Sequence, residues 1–329
     1  MLAPLAVSIG DPAGIGPEII AKSWETREQH GLMPFFAVGD PAAVQAVWSG
    51  PIRVLDSPAD AAHVFESALP VVRVAGAHPV TPGSPCLEGA RSSLDALELG
   101  VGLARSGAAS ALVTGPVSKA QLYAVGFSHP GQTEFVAERC GASAENVAMM
   151  LVGPSLKTVP VTVHMRLRDV PEAISIDRII AKARTTARGL QRQFGIAEPR
   201  LAIAGLNPHA GEDGALGREE IDVIIPAIER LREEGIDASG PYPADTMFQP
   251  RMRSRYDAAL CMYHDQALVP LKTLHFDEGV NMTLGLPIVR TSPDHGTAFA
   301  LAGKNIADPG AMIAALQVGA ECAARFAEG

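Results

Sequence analysis

Short runs of aliphatic and β-branched residues alternate with helical stretches along nearly the whole chain. That pattern confines it to an α/β fold with parallel strands covered by helices. Leu5–Ile9 reads as a buried strand entering the turn Gly10-Asp11-Pro12-Ala13-Gly14-Ile15-Gly16, and Pro17 then opens a helix, where its missing N–H costs nothing. Phe35–Val38 repeats the pattern, with Asp40 as N-cap and Pro41 behind it. Leu87–Arg105 reads as a long helix, Ala111–Pro116 as strand and turn, and Ser118 with Lys119 as the start of another helix. Val147–Val152 and Lys157–Val163 are strand candidates joined across Gly153-Pro154-Ser155. Ile176–Phe194 is expected to be helical with a basic outer face, Arg200–Leu206 extended, and Ala258–Tyr263 extended. Over Glu219–Glu233 the spacing of Ile221, Ile224, Ile225 and Ile228 predicts a helix with an apolar stripe.

At 329 residues the chain is comfortable for two domains. The best division is two interleaved α/β/α domains with mixed or parallel sheets and a ligand cleft between them. The first is expected over residues 1–130 and 286–329, and the second over 131–285. Hydrophobic residues at 47% against 19% charged give ample core and argue against disorder. A net charge of −9 argues against a general nucleic-acid or anionic-membrane surface, so any anionic ligand needs a local basic cluster. The four cysteines form no C-x-x-C pair, which points to a reducing compartment. The opening apolar stretch lacks a basic leader and reads as a first strand, and no run is long enough to cross a bilayer. A soluble, cytoplasmic protein is expected.

Three histidines stand where apolar runs end: His164 after Val-Pro-Val-Thr-Val, His209 in Gly-Leu-Asn-Pro-His-Ala-Gly-Glu, and His264 in Ala-Leu-Cys-Met-Tyr-His-Asp-Gln. Each imidazole should emerge at the C-terminal end of a strand, where open α/β sheets place ligands. Three neutral imidazoles can hold a divalent cation and leave positions open for substrate. Asp245 and Asp265 could orient such imidazoles, serve as ligands themselves, or be ordinary surface carboxylates.

Other segments carry less by themselves. The glycine-rich turn Gly10–Gly16 lacks the G-x-G-x-x-G spacing and any P-loop Lys-Ser/Thr, so it reads as a tight turn before a helix rather than a phosphate cradle. Gly131-Gln132-Thr133-Glu134 puts polar side chains at a helix start, where Thr133 either caps the helix or shares a phosphate with backbone N–H groups. Lys272, Asn281 and Arg290 alternate with apolar residues. Projecting from strands, two cations and an amide would suit a phosphate dianion, with a solvated strand face as the alternative. Ser292–Pro309 reads as loop, helix and loop with a cap at Asp308-Pro309.

Together these segments resemble the 4-hydroxythreonine-4-phosphate dehydrogenases of pyridoxal phosphate biosynthesis. The likeness runs almost end to end, through Gly10–Glu18, Thr114–Val117, Gly131–Phe135, Gly205–Glu212, Gly240–Thr246, Met262–Gln266, Val280–Pro287 and Arg290–Thr297. That family is similar in fold to isocitrate and isopropylmalate dehydrogenases. His295-Gly296-Thr-Ala followed by Ala302-Gly-Lys-Asn305-Ile-Ala-Asp-Pro309 looks like their adenosine-binding loop, which would let NAD or NADP bind without a glycine fingerprint. The resemblance implies His164, His209 and His264 as ligands of a divalent ion such as Zn2+, Mg2+ or Co2+. It implies Gln132, Thr133, Lys272, Asn281 and Arg290 as substrate contacts, and His295, Gly296 and Asn305 as cofactor contacts. It also implies a homodimer whose active site draws on both subunits, so that one histidine would come from the partner. One departure is Gln132, where the family pattern has histidine; glutamine keeps hydrogen bonding but cannot carry charge.

The implied reaction is oxidation of the secondary alcohol of 4-phosphohydroxy-L-threonine and decarboxylation to 3-amino-2-oxopropyl phosphate. Lys272, Asp245, Asp265 or a bound water are the candidates for proton transfer. Rival substrates within the class are threonate or erythronate 4-phosphate, or a cyclic dihydrodiol. From other classes, three histidines with carboxylates suit a metal hydrolase or aldolase, or a catalytically silent metal- and phosphate-binding protein.

Overall fold

Strands made almost wholly of apolar residues form where both faces of a sheet are covered, the situation of parallel sheets flanked by helices. The computed structural model describes residues 2–75, 80–143 and 145–328. The strands are β1 (Leu5–Ser8), β2 (Phe35–Gly39), β3 (Ile52–Leu55), β4 (Leu69–Arg73), β5 (Leu112–Thr114), β6 (Ala148–Gly153), β7 (Leu156–Pro160), β8 (Arg200–Ala204), β9 (Asp237–Tyr242), β10 (Ala258–Cys261), β11 (Val280–Leu284) and β12 (Arg290–Pro293). The longer helices are α1 (Gly16–Glu25), α2 (Leu87–Arg105), α3 (Gln132–Arg139), α4 (Ile176–Phe194), α5 (Ile225–Glu233), α6 (His264–Leu274) and α7 (Gly310–Glu328).

The chain divides into two units, one running to Gly141 and resuming at Pro287, the other spanning Ala142–Leu286. In the first, the strand order is β3-β4-β2-β1-β5-β12 with every pair parallel. β1 and β2 are buried at every position. Phe35 and Phe36 are wholly buried, each contributing about 1.5–3 kcal/mol. Gly16 has to be glycine, because a Cβ there would lie 2.0 Å from the carbonyl oxygen of Ile9. The Gly10–Gly16 turn is therefore a device for close backbone packing. Helix α3, which the sequence reading assigned to the second domain, belongs to the first unit. Arg139 binds Glu98 of α2, and Gln132 donates to the carbonyl of Gly115.

The second unit has the order β11-β6-β7-β10-β8-β9. β6 runs antiparallel to both its neighbours, β11 and β7, with the expected hairpin between β6 and β7, while β7, β10, β8 and β9 run parallel. Helix α4 starts at Ser175, whose hydroxyl accepts from Arg178 N, and ends at Gly195 in the left-handed conformation with φ 69°. The helix expected over Glu219–Glu233 is interrupted. Glu220–Ile224 forms a π-helical turn before α5, and the extra residue rotates the face. Glu220, Ile224, Ala227, Ile228 and Leu231 point inward, whereas Ile221 and Ile225 are exposed.

Candidate active site

The second unit brings the C-terminal ends of three parallel neighbours, β7, β10 and β8, to one edge, and each leads into a histidine segment. Past β7 the chain stays tied to the extension of β10: Val161 N donates to Cys261 O at 2.7 Å, and the Thr162 hydroxyl to Met262 O at 2.7 Å. Gln266 fastens the other side, accepting from Met262 N and donating to Gly205 O. The result is a pair of imidazoles, His164 and His264, with ring centres 5.7 Å apart and tilted by 43°. Nitrogens about 2.1 Å from a shared ion put each ring centre about 3 Å from it, and the two centres about 5–6 Å apart at tetrahedral angles. The observed spacing fits. Both rings line a cavity of about 680 Å3 together with Val163, Met165, Arg166, Leu167, Asp169, Val170, Tyr263 and Asp265. The Asp265 carboxylate lies 2.7 Å from Nδ1 of His264, which orients the ring and leaves Nε2 clear of that bond.

His209 has the same equipment in a different place. Its Nδ1 lies 2.5 Å from Glu212 Oε1, and its basicity is raised by that hydrogen bond first, by the Glu212 charge next, and by Asp245. The resemblance implies three imidazoles around one ion, one of them from a partner chain. Within one chain the three do not converge: among the described residues no group of three or more His, Cys, Asp or Glu is placed to hold a metal. The reason lies in the backbone after β8, where His209, Ala210, Gly211, Glu212 and Asp213 all have positive φ. That left-handed turn carries the ring on its own exposed course.

The other candidate residues divide between the units. In the first, Gly131 is the N-cap of α3, so Thr133 is not spent on capping and the helix start offers free N–H groups. Gln132 is oriented by its bond to Gly115 O, at 3.3 Å, and its amide oxygen is buried without a partner. Arg290, on β12, is 3% exposed and donates to the Thr114 hydroxyl at 2.7 Å. Burial pushes its pKa down to about 10, partly offset by the Glu134 charge. Its guanidinium is thus a buried cation that feels the charge of Glu134 in the first turn of α3. In the second unit, Asn281 sits on β11 with a buried, unpartnered amide oxygen, and Asp245 is exposed at the start of a short helix. Lys272 departs from expectation, since it lies on helix α6 and not on a strand. The run His264–Leu274 carries its apolar residues at helical spacing, and β11 begins only at Val280.

The segment after β12 contains turns rather than the expected internal helix, and α7 starts at the Asp308 cap, whose carboxylate accepts from Gly310 N. His295 and Gly296 are exposed, as is Asn305, held at φ 57°. The loop is anchored to α1 through the buried carboxylate of Glu18, which accepts from Ala307 N, and through Lys22, which donates to Ala307 O. Sequence reasoning missed Glu212 and Thr114 as partners of His209 and Arg290, and Glu18 as the anchor of this loop. All three lie in motif segments, but only Glu212 is close in sequence to the residue it bonds.

The family model for the pyridoxal phosphate biosynthetic protein PdxA matches residues 32–319. The chain belongs to the PdxA family. It is similar to the 4-hydroxythreonine-4-phosphate dehydrogenase of Zymomonas mobilis subsp. mobilis, 58% identical over 97% of this chain and 96% of that protein. Among solved structures it is similar to the 4-hydroxythreonine-4-phosphate dehydrogenase from Klebsiella pneumoniae, with a TM-score of 0.88 and 35% identity over 98% of each chain. A terephthalate 1,2-cis-dihydrodiol dehydrogenase from Burkholderia xenovorans LB400 stands further off, at a TM-score of 0.66 and 29% identity over 96% of this chain and 97% of that one. The α/β class and the family expected from the sequence are both borne out. The PdxA chain is an enzyme, an oxidoreductase of pyridoxal phosphate biosynthesis. No helix among its described residues is long and apolar enough to cross a membrane.

Proposed function

We propose that this PdxA chain oxidises 4-phosphohydroxy-L-threonine at its secondary alcohol, using a divalent metal and NAD or NADP, and that the product loses CO2 to give 3-amino-2-oxopropyl phosphate. The observation that carries the metal assignment is the His164–His264 pair, spaced at 5.7 Å with Asp265 on the far nitrogen of His264. A third imidazole is needed, and His209 stands apart within its own chain with Nε2 free of Glu212. His209 is therefore assigned to the site of a second copy, which makes the working enzyme a homodimer with shared active sites. A bound Zn2+, Mg2+ or Co2+ would supply Lewis acidity, favouring loss of the alcohol proton and stabilising negative charge during decarboxylation. The nicotinamide would accept hydride, and the loop carrying His295, Gly296 and Asn305 is the segment assigned to hold it.

The protein's own groups bind and orient. Arg290 with Thr133 and the N-terminus of α3 would take the phosphate. The orphan oxygens of Gln132 and Asn281 suit donors such as the substrate ammonium and hydroxyl. Asp265 orients His264, which leaves Lys272 and Asp245 as candidates for receiving the alcohol proton. The buried guanidinium of Arg290 favours a phosphorylated substrate over a dihydrodiol. The test is turnover of 4-phosphohydroxy-L-threonine with each nicotinamide across a metal series, read as reduced-nicotinamide absorbance. Metal-dependent appearance of that absorbance is expected. Equal rates after exhaustive chelation, or faster turnover of threonate 4-phosphate, would overturn the assignment.

A further inference from the structure

We infer that Glu220, beyond the His209 motif and on the helical segment that follows it, is the positioning residue that holds the left-handed turn presenting His209. The inference rests on the reading of His209 as a metal ligand. Glu220 is 2% exposed, in a place where a helix of this pattern should bury an apolar side chain. The π-helical turn Glu220–Ile224 puts it there. Its Oε1 accepts from the backbone N–H groups of Leu206 (2.7 Å) and Asn207 (2.8 Å), and its Oε2 from the Asn207 side-chain amide (2.9 Å). The chain then wraps on around the same carboxylate. A Cβ on Gly211, at φ +84°, would lie 2.6 Å from Glu220 Oε2.

Four non-glycine residues in that turn, His209, Ala210, Glu212 and Asp213, have φ between 42° and 53°. L-residues adopt this region singly and at a cost, so a run of them persists only where the surroundings dictate it. Glu220 supplies that dictation, since a charged acceptor of three N–H groups is stronger than neutral bonds. Glu219 adds a lock: its Oε2 accepts from the same Asn207 amide at 2.7 Å. Were Asn207 to rotate its amide, an oxygen would face the Glu219 carboxylate.

This arrangement makes the effect of Glu220→Gln calculable in direction. The glutamine oxygen can still accept from both backbone groups. Its NH2, however, meets the Asn207 NH2, and Glu219 prevents Asn207 from turning to relieve the clash. In Glu219→Gln/Glu220→Gln that obstacle is gone and Asn207 can present its oxygen to both amides.

The experiment is Co2+ titration of the full-length, metal-stripped protein, followed by the visible absorption of the imidazole-bound ion. Thermal melting checks that each variant is folded. Glu220→Gln is expected to bind Co2+ about 10–100-fold more weakly, the range seen when a residue supporting a metal ligand is changed. Glu219→Gln alone should bind as the unaltered protein does, and the double variant should recover most of the loss. Gly211→Ala, which pushes on the same carboxylate from the turn, should weaken binding as well. If His209→Ala loses affinity while Glu220→Gln and Gly211→Ala keep it, the clamp is wrong and the ligand reading survives. If His209→Ala itself binds Co2+ normally, the ligand reading fails and the clamp with it.

Discussion

Replacing Arg290 with methionine should make the ligand-free protein more stable and nearly abolish its affinity for phosphate. Arg290 is 3% exposed, and burial lowers its pKa from the ordinary guanidinium value to about 10. At 1.36 kcal/mol per pH unit, keeping this guanidinium charged costs the folded state about 3 kcal/mol. Methionine removes the charge and fills much of the space. Thr114, itself buried, loses the donor at 2.7 Å, which gives back about 1 kcal/mol. The net gain of about 2 kcal/mol raises the melting temperature by several degrees, at about 2–4 °C per kcal/mol. Losing a charge-assisted contact to the substrate costs about 1.5–3 kcal/mol, a rise in KM of roughly 10- to 150-fold, with KM for the nicotinamide unchanged. The assay is a thermal melt with and without inorganic phosphate, beside steady-state kinetics. Phosphate should stabilise the unaltered protein and leave Arg290→Met untouched. The pH dependence has a definite sign. Between about 10 and the ordinary guanidinium pKa the unfolded chain binds more protons at this group than the folded one does, so its destabilising contribution is relieved as pH rises above about 10. Phosphate binding is lost over the same rise. A variant that melts lower than the parent, yet still gains stability from phosphate, would refute the reasoning.

Asp265→Asn should weaken Co2+ binding about 10–100-fold while the melting temperature holds, because its exposed carboxylate is bonded to the imidazole; unchanged affinity would remove it from the site. Gln132→Ala should raise KM for the phosphorylated substrate without moving KM for the nicotinamide, which kinetics with each varied in turn will show. Cys261 and Cys322 are 0% and 1% exposed, and burial pushes the Cys261 thiol well up. Thiol reagents should therefore label only Cys86 and Cys140 until denaturant is added, as mass mapping would establish. Gly195→Ala, at a left-handed helix end, should lower stability by about 1 kcal/mol in urea titration.

The strands were legible because burial on both sheet faces leaves short apolar runs bounded by glycine and proline, as in Leu5–Ser8 and Phe35–Gly39. The histidines were legible for the same reason, since each follows such a run. What failed depended on contacts distant in sequence. Helix α3 belongs with the first unit through Arg139 and Gln132, whose partners Glu98 and Gly115 no local pattern reveals. Lys272 was placed on a strand although its neighbours repeat at helical spacing. The stripe over Glu219–Glu233 misled because one extra residue in a π-turn exchanges which isoleucines are buried and draws Glu220 inward. The turn at His209–Asp213 contains one glycine among five residues with positive φ, so composition gave no warning of it.

The proposal of a metal site shared between subunits is tested most directly by mixing them. His209→Ala and His264→Ala homodimers should each be inactive. Co-refolding them at equal amounts gives half mixed dimers in which one of two sites has every imidazole, so about a quarter of full activity should return. A mixture as dead as its components would contradict assembly of the three histidines from two chains.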